Sequence, residues 1–373
     1  MAKMDLIYYY PVETNAPGSV ARTVLKYLQK RRKELPFENL KLFTRTKDAE
    51  NVRKQFSDLE VITHKTLNKI SNDSVIHIPT SPLIMPNSKF LLHLFAVLKK
   101  RKLILQYHGD TRTEMYLRFK YQHSLNITYI PSYIALPYLL KSADKLIVNS
   151  YLMSNLVRTR YRVKNDVVIP NGIDDFWFDK SSASNIELEG EPNIFYHGRL
   201  STEKGVDMLI NGFSKAIGER SNIRLYIAGE GPQRKYLKKL CMKLGIEKNV
   251  VFLGHMQKKD IKAFLSIVGA TIYPSIYDSF SLAVLEALSS ANCSVYFSTQ
   301  AGIYDFAVQD GYNLNAFVPT TENISEIFKD IIKGNNENSD KKIIKQQKEF
   351  ARRYTWDKVI NQYMNIYSDM SVP

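Results

Sequence analysis

The chain is expected to fold as two α/β domains, each a doubly wound, Rossmann-like parallel sheet with helices on both faces, and to set them face to face across a cleft. Three observations lead there. Its 373 residues are more than one hydrophobic core usually holds. In the second half, short apolar runs ending at glycine or turn residues alternate with amphipathic runs, as strands and crossover helices do in a parallel sheet. The first half repeats that alternation less regularly.

Taken in order, the start MAKMDLIYYYPVE holds a brief apolar run interrupted by Asp5, and no small-residue cleavage site follows. It reads as a first strand, DLIYYY, rather than a secretory leader. LKLFT, SVIHIP, KLILQYH and KLIVNS are the further strand candidates of this half. The Tyr-rich stretch from His108 to Ser142 reads as helix broken at Pro131 and Pro137, its aromatics forming core or lining an acceptor groove. Turn formers Pro170, Asn171 and Gly172 within VVIPNGIDDFWF, followed by the polar run DKSSASNIELEGEPN, mark the boundary between domains 1–170 and 171–350. NIFYHG, IRLYIAG, VVFLG and ATIYPS are strands of the second domain, and GVDMLINGFSKAI carries helical apolar spacing at Val206, Leu209, Ile210, Phe213 and Ile217. Gly334 to Asp340 reads as a polar loop, and the tail after it, including 351–373, as helix.

Composition narrows the class. Apolar and charged contents of 44% and 24% suit a soluble globular protein. No apolar run approaches the roughly 18 residues that a membrane span needs. Cys241 and Cys293 supply neither a disulfide framework nor a metal spacing, which suits a reducing cytoplasm. The net charge of +15 is lopsided: residues 1–175 hold 28 cations against 15 anions, and the remainder 24 against 22. The clusters Lys30–Lys33, Lys99–Lys102 and Arg158, Arg160, Arg162 with Lys164 give the first domain a face for a polyanion, either nucleic acid or an anionic membrane surface.

The candidate site lies in loops that end strands of the second half. YHGRLSTEKG puts Arg199 and Lys204 in a strand-to-helix loop, where an open parallel sheet binds anions. AGEGP, with Gly229, Glu230 and Gly231, and FLGHM, with Gly254, are tight turns after the next strands. In YPSIYDSFSLAVLEALSSANC a polar loop carries Asp278, Ser279 and Ser281 before a helix that contains Glu286. A helix start offers free N–H groups and a positive dipole end for phosphate, and a carboxylate nearby accepts hydroxyl hydrogen bonds.

In this order and at these distances GRLSTEKG, AGEGP, FLG and the Asp278-x7-Glu286 spacing resemble the donor-binding half of the retaining glycosyltransferases of family four, whose pattern is a Gly-Arg-x-x-x-x-Lys-Gly loop followed by E-x7-E. Those enzymes have the two-domain glycosyltransferase-B fold. APGSV, with Gly18, stands where the family has a glycine-rich acceptor-side loop. QYHG matches its strand-ending histidine, SADKLIVNS its Ala-Asp…Ser strand, IPNGID its Pro-Asn-Gly-Ile-Asp turn, and YTWDKVINQYMNIY a closing helix that crosses back to the first domain. The likeness covers most of the chain and is specific over 165–310.

The resemblance implies a function and a division of roles. Arg199 and Lys204 would neutralise the nucleotide diphosphate, Glu286 would hold the ribose, and the amides around Phe280, Ser281 and Leu282 would hold phosphate oxygens. Gly18, Gly198, Gly229, Glu230 and Gly254 would border the donor, and His108 would approach its sugar from the first domain. Asp278 would bind sugar hydroxyls near the reacting carbon. It departs from the family's Glu by one methylene, so either the backbone sits closer or a different sugar is held. No metal is expected, since Asp174-Asp175 is no Asp-x-Asp pair and the seven histidines show no H-x-E or H-E-x-x-H spacing. The reading is a metal-independent, retaining transferase. It takes a nucleotide-diphosphate sugar as co-substrate and a glycan or lipid-linked acceptor, and works in the cytoplasm or peripherally on the cytoplasmic membrane face. Its rivals are a non-catalytic sugar-nucleotide-binding subunit, a nucleotide-sugar epimerase of the same fold, and a basic nucleic-acid-binding protein. The last has no aromatic-basic recognition motif, so no nucleic acid is expected as partner.

Overall fold

A computed structural model gives the fold and describes residues 4–13, 15–82, 87–122, 130–179, 186–218, 222–334 and 337–372. The chain's first three residues, part of the Tyr-rich stretch (123–129), the core of the polar run (180–185) and residues 335–336 lie outside the described residues. The chain divides into two compact units: residues 1–115, 124–172 and 356–373, and residues 116–123 and 173–355.

Unit 1 is built on β1 (Asp5–Tyr9), β2 (Asn39–Phe43), β3 (Val61–Ile62), β4 (Ser74–Ile78), β5 (Lys102–Tyr107), β6 (Lys145–Val148) and β7 (Asp166–Val168). They form one sheet in the order β3-β2-β1-β4-β5-β6-β7, with every neighbour parallel. β1 and β4 are buried along their whole length, as expected of strands covered on both faces. The helices of this half are α1 (Ala16–Lys30), α2 (Ala49–Gln55), α3 (Ser88–Leu98), α4 (Thr111–Gln122), α5 (Ile130–Lys141) and α6 (Tyr151–Tyr161), α4 passing into unit 2 from residue 116. Asn15, Asn87 and Ser150 start α1, α3 and α6 by accepting from Gly18, Phe90 and Met153 N–H groups.

The expected break in the Tyr-rich stretch fails here. α5 runs straight through Pro137. The carbonyl that Pro137 leaves without an intrahelical donor is that of Tyr133, and Arg112 takes it up through Nη2 at 2.7 Å and Nε at 3.2 Å. Of the two places expected for its aromatics, core is excluded for Tyr116, Phe119, Tyr133 and Tyr138, which are all exposed.

Unit 2 carries β8 (Asn193–His197), β9 (Arg224–Ala228), β10 (Val250–Gly254), β11 (Ala270–Tyr273), β12 (Ser294–Ser298) and β13 (Ala316–Phe317). The order is β10-β9-β8-β11-β12-β13, again all parallel. Its helices are α7 (Val206–Ile217), α8 (Arg234–Lys243), α9 (Lys258–Ile267), α10 (Leu282–Ser290), α11 (Ile303–Gln309), α12 (Thr321–Lys333) and α13 (Glu337–Ala351). α13 begins inside the stretch expected to be loop, because Gly334 at φ +70° closes α12 and the chain re-enters helix within three residues. Cys241 and Cys293 are both free and buried.

The last helix, α14 (Trp356–Ser371), belongs to unit 1. Its Tyr367 hydroxyl lies 2.7 Å from His77 Nδ1 on β4, and its Tyr363 hydroxyl accepts from Gln106 Nε2 on β5 at 2.8 Å. Burial pushes His77 down to about 3, so the imidazole is neutral in this packing.

Candidate functional site

The carboxyl ends of β8, β9, β10 and β11 come together because those strands are neighbours in one parallel sheet. Backbone hydrogen bonds then lace their loops. Leu200 N donates to Glu230 O (3.0 Å), Gln233 N to Leu200 O (3.0 Å), and Gly229 N to Gly254 O (2.6 Å). Gly229, at φ +138°, lies so close to the loop after β8 that a Cβ there would sit 1.9 Å from Gly198 O. Gly198, Gly229 and Gly254 therefore have a structural task, close approach of three loops. Glu230 is exposed and lies 3.3 Å from Arg234.

A second set of bonds joins the loop after β8 to the loop after β11. Ile276 and Tyr277 donate from their N–H groups to Glu203 O at 2.9 and 3.2 Å. Gly205 lies in the left-handed region at φ +64°, where a Cβ would meet Pro274 O at 2.2 Å. Between these loops Lys204 Nζ donates to Asp278 Oδ2, an ion pair with only 23% and 10% of the two side chains exposed. Two residues expected to hold opposite ends of a ligand are thus each other's partner. Asp278 is fixed from behind as well, its N–H bonding Gln300 O (3.2 Å) and its carbonyl accepting from Gly302 N (2.9 Å).

α10 starts at Ser281, which is left-handed at φ +78°. The first helical donor is Leu285, which bonds Ser281 O at 3.2 Å. The amides of Leu282, Ala283 and Val284 therefore point out of the helix start, with its positive dipole end behind them. Phe280 holds the loop in place, buried edge-on against Phe306 at 5.9 Å, and its carbonyl accepts from Ile303 N.

Glu286 comes one turn further along α10, and it has a partner that sequence reasoning missed. His197, the last residue of β8, stands with Nε2 3.1 Å from Glu286 Oε2 and Nδ1 2.8 Å from the Tyr273 hydroxyl. Burial and the nearby Glu286 charge raise the Tyr273 phenol well above its usual range, so it stays protonated. A Tyr273 O–H donated to Nδ1 leaves the proton on Nε2, aimed at the carboxylate. One carboxylate oxygen is so fixed, and Oε1 remains to meet a ligand. The only signal in the sequence was a histidine next to a strand-ending glycine.

Arg199 is exposed and has no ion-pair partner among the described residues. Gly18 and His108 belong to unit 1. Gly18 sits in the first turn of α1 rather than in a loop. His108 follows β5, buried, with Nε2 donating to Pro79 O at 3.0 Å, and burial lowers it to about 4. The basic clusters of unit 1 differ in kind. Arg31 pairs with Glu34, Arg32 with Asp58 (3.7 Å), Arg158 with Asp166 (2.7 Å) and Arg160 with Asp110. Among the described residues no helix is long and apolar enough to cross a membrane, and no three His, Cys, Asp or Glu side chains gather as a metal site.

Residues 178–350 match the model of the family described as glycosyl transferases group 1. The chain is 28% identical over 218 residues to an uncharacterised glycosyltransferase of Methanocaldococcus jannaschii, covering 54% of this chain and 53% of that one. It is 25% identical over 223 residues to the alpha-monoglucosyldiacylglycerol synthase of Streptococcus pneumoniae, covering 56% and 50%. The chain spans about half the length of the curated relatives it matches. Among solved structures, Anabaena HepE in complex with UDP superposes with a TM-score of 0.71 at 15% identity, covering 98% of this chain and all of that one. The fold is that of the glycosyltransferase-B enzymes.

Proposed function

We propose that the chain is a retaining, metal-independent glycosyltransferase. It moves a sugar from a nucleotide-diphosphate sugar to a glycan or lipid-linked acceptor at the cytoplasmic membrane face. One observation carries the reading. Two cations, two carboxylates and an open helix start end neighbouring strands of unit 2, within the segment that matches glycosyl transferases group 1. On this reading Arg199 and Lys204 hold the diphosphate with the α10 amides, and Glu286, steadied by His197, accepts from the ribose hydroxyls. Asp278 then turns from Lys204 to the sugar. As the bond from the sugar C1 to the diphosphate oxygen breaks, the acceptor oxygen bonds C1 on the same face and its proton passes to the departing phosphate. Fixed cations and a helix dipole stabilise the charge that develops there. His108 is assigned to the sugar end of the reaction, as a neutral imidazole.

A structural neighbour bound to UDP and a relative named for a glucolipid product support the donor and acceptor classes. The test is a panel of UDP-, GDP- and ADP-sugars. A true donor at a hundred times its Kd should stabilise the protein by about 2.7 kcal/mol and release its diphosphate when acceptor lipid is added. A panel with no stabilising member refutes the proposal.

A further inference from the structure

α3 and α5 present a surface that the donor site leaves unexplained. Both helices are apolar nearly all round, a composition that usually means burial on every side. Yet Leu91, Leu94 and Leu98 of α3 are exposed, as are Ile130, Ile134 and Tyr138 of α5. Their spacings place each set on one helix face. The exposure is large: 69% for Leu98, 65% for Ile134 and 77% for Tyr138. His93 Nε2 on α3 lies 2.8 Å from Ser142 Oγ just after α5, so the end of α5 lies against the middle of α3.

Charge completes the pattern. No Asp or Glu occurs in residues 74–109 or 115–143. α3 runs directly into the exposed Lys99 and Lys100, and α5 ends at the exposed Lys141. None of these three lysines has an ion-pair partner among the described residues, whereas Arg31, Arg32, Arg158 and Arg160 are each tied to a carboxylate. An apolar face flanked by lysines complements a bilayer with anionic headgroups.

We infer that the α3–α5 face docks on an anionic bilayer, its Leu, Ile and Tyr side chains entering the headgroup boundary while Lys99, Lys100 and Lys141 meet the lipid phosphates. The inference rests on the membrane part of the proposed function. It narrows that part to one of three basic clusters and adds apolar insertion to charge. Charge alone would give binding that salt abolishes; inserted side chains leave a share that salt does not touch.

The experiment is co-sedimentation of the full chain with phosphatidylcholine vesicles, with and without about one-third phosphatidylglycerol, across a salt series. Binding should require the anionic lipid at physiological salt. Leu94→Glu with Ile134→Glu should lower partitioning about tenfold or more at every salt concentration. Lys99→Gln with Lys100→Gln should lower it most at low salt and progressively less as salt rises, and Arg31→Gln with Arg32→Gln should leave it within about twofold of wild type. Because the glutamates could disturb folding, a polarity-sensitive dye on Leu98→Cys gives a second readout. It should shift to the blue on vesicles, and the same dye on Arg32→Cys should not. Wild-type binding by the glutamate variant, an equal response of both dyes, or a wild-type dimer that those glutamates dissociate would overturn the inference. Binding of UDP, GDP and ADP is measured in parallel. Intact nucleotide binding with no vesicle binding refutes the docking face alone, and the reverse refutes the transferase reading alone.

Discussion

Replacing Asp278 by Asn keeps the side chain's shape and removes the charge that holds Lys204. The pair is too buried to count as a surface ion pair, which contributes about 0–1 kcal/mol, and too open for the 3–5 kcal/mol of a fully buried one. A coupling of about 1–2 kcal/mol is the expected middle, a factor of about 5 to 30 in affinity. A bare nucleoside diphosphate must draw Lys204 away from that carboxylate in the wild type and need not do so in Asp278→Asn. Its affinity should therefore rise by that factor while turnover of the full donor falls, because the sugar end has lost its acceptor. Titration calorimetry with UDP, GDP and ADP on wild type, Asp278→Asn, Lys204→Ala and the double variant measures the coupling directly. If Asp278→Asn binds the diphosphate no more tightly than wild type, or loses as much as Lys204→Ala, the pair is loop structure and the assignment of Asp278 fails.

Arg199→Ala removes an exposed cation without an ion-pair partner, so the melting temperature should hold while activity falls about a hundredfold; near wild-type turnover at saturating donor would remove Arg199 from the site. His197→Phe keeps the ring beside Phe195, at 5.7 Å, but frees Glu286 and strands the buried Tyr273 hydroxyl. Stability should drop by about 1–3 kcal/mol and the donor KM should rise with kcat little changed, and an unchanged KM would reduce His197 to packing. Acid should destabilise the fold before the carboxylates titrate. Burial holds His77 at about 3 and His93 and His108 at about 4 in the folded state, below the ordinary 6.5. As pH falls below 6.5 the unfolded chain takes up protons that the folded chain refuses, so stability is full above that pH and is lost on the way down. Each such histidine contributes up to about 1.4 kcal/mol per pH unit, and denaturant midpoints that do not move between pH 6.5 and 5.5 would contradict it.

Local chemistry made much of the fold legible. Glycine-ended apolar runs marked β8, β9 and β10, and helical spacing marked α7, because each signal lies within a dozen residues. β12 escaped notice, since SVYFS follows α10 with no glycine between, and the two-residue strands β3 and β13 exist only through their neighbours. Pro137 misled for a related reason: a local rule counts the donor that proline lacks, while Arg112 supplies one from 21 residues away to Tyr133 O. In the site, the cations and carboxylates were visible one at a time. Their connections were not, because Lys204 and Asp278 are 74 residues apart and His197 and Glu286 are 89 apart. Only the order of the sheet brings them within reach.

The place of α14 bears on how the chain comes off the ribosome. Unit 1 is emitted first, but His77 and Gln106 in its sheet wait for Tyr367 and Tyr363, which follow the whole of unit 2 in the sequence. Domains usually fold in the order they are made. Here the nascent first unit must stand with one helix-sized strip of its sheet uncovered until the second unit has been translated. A chain stalled anywhere in residues 173–355 would expose that strip to chaperones, and a gene fragment stopping at Gly172 should be retained by them while the intact chain is released.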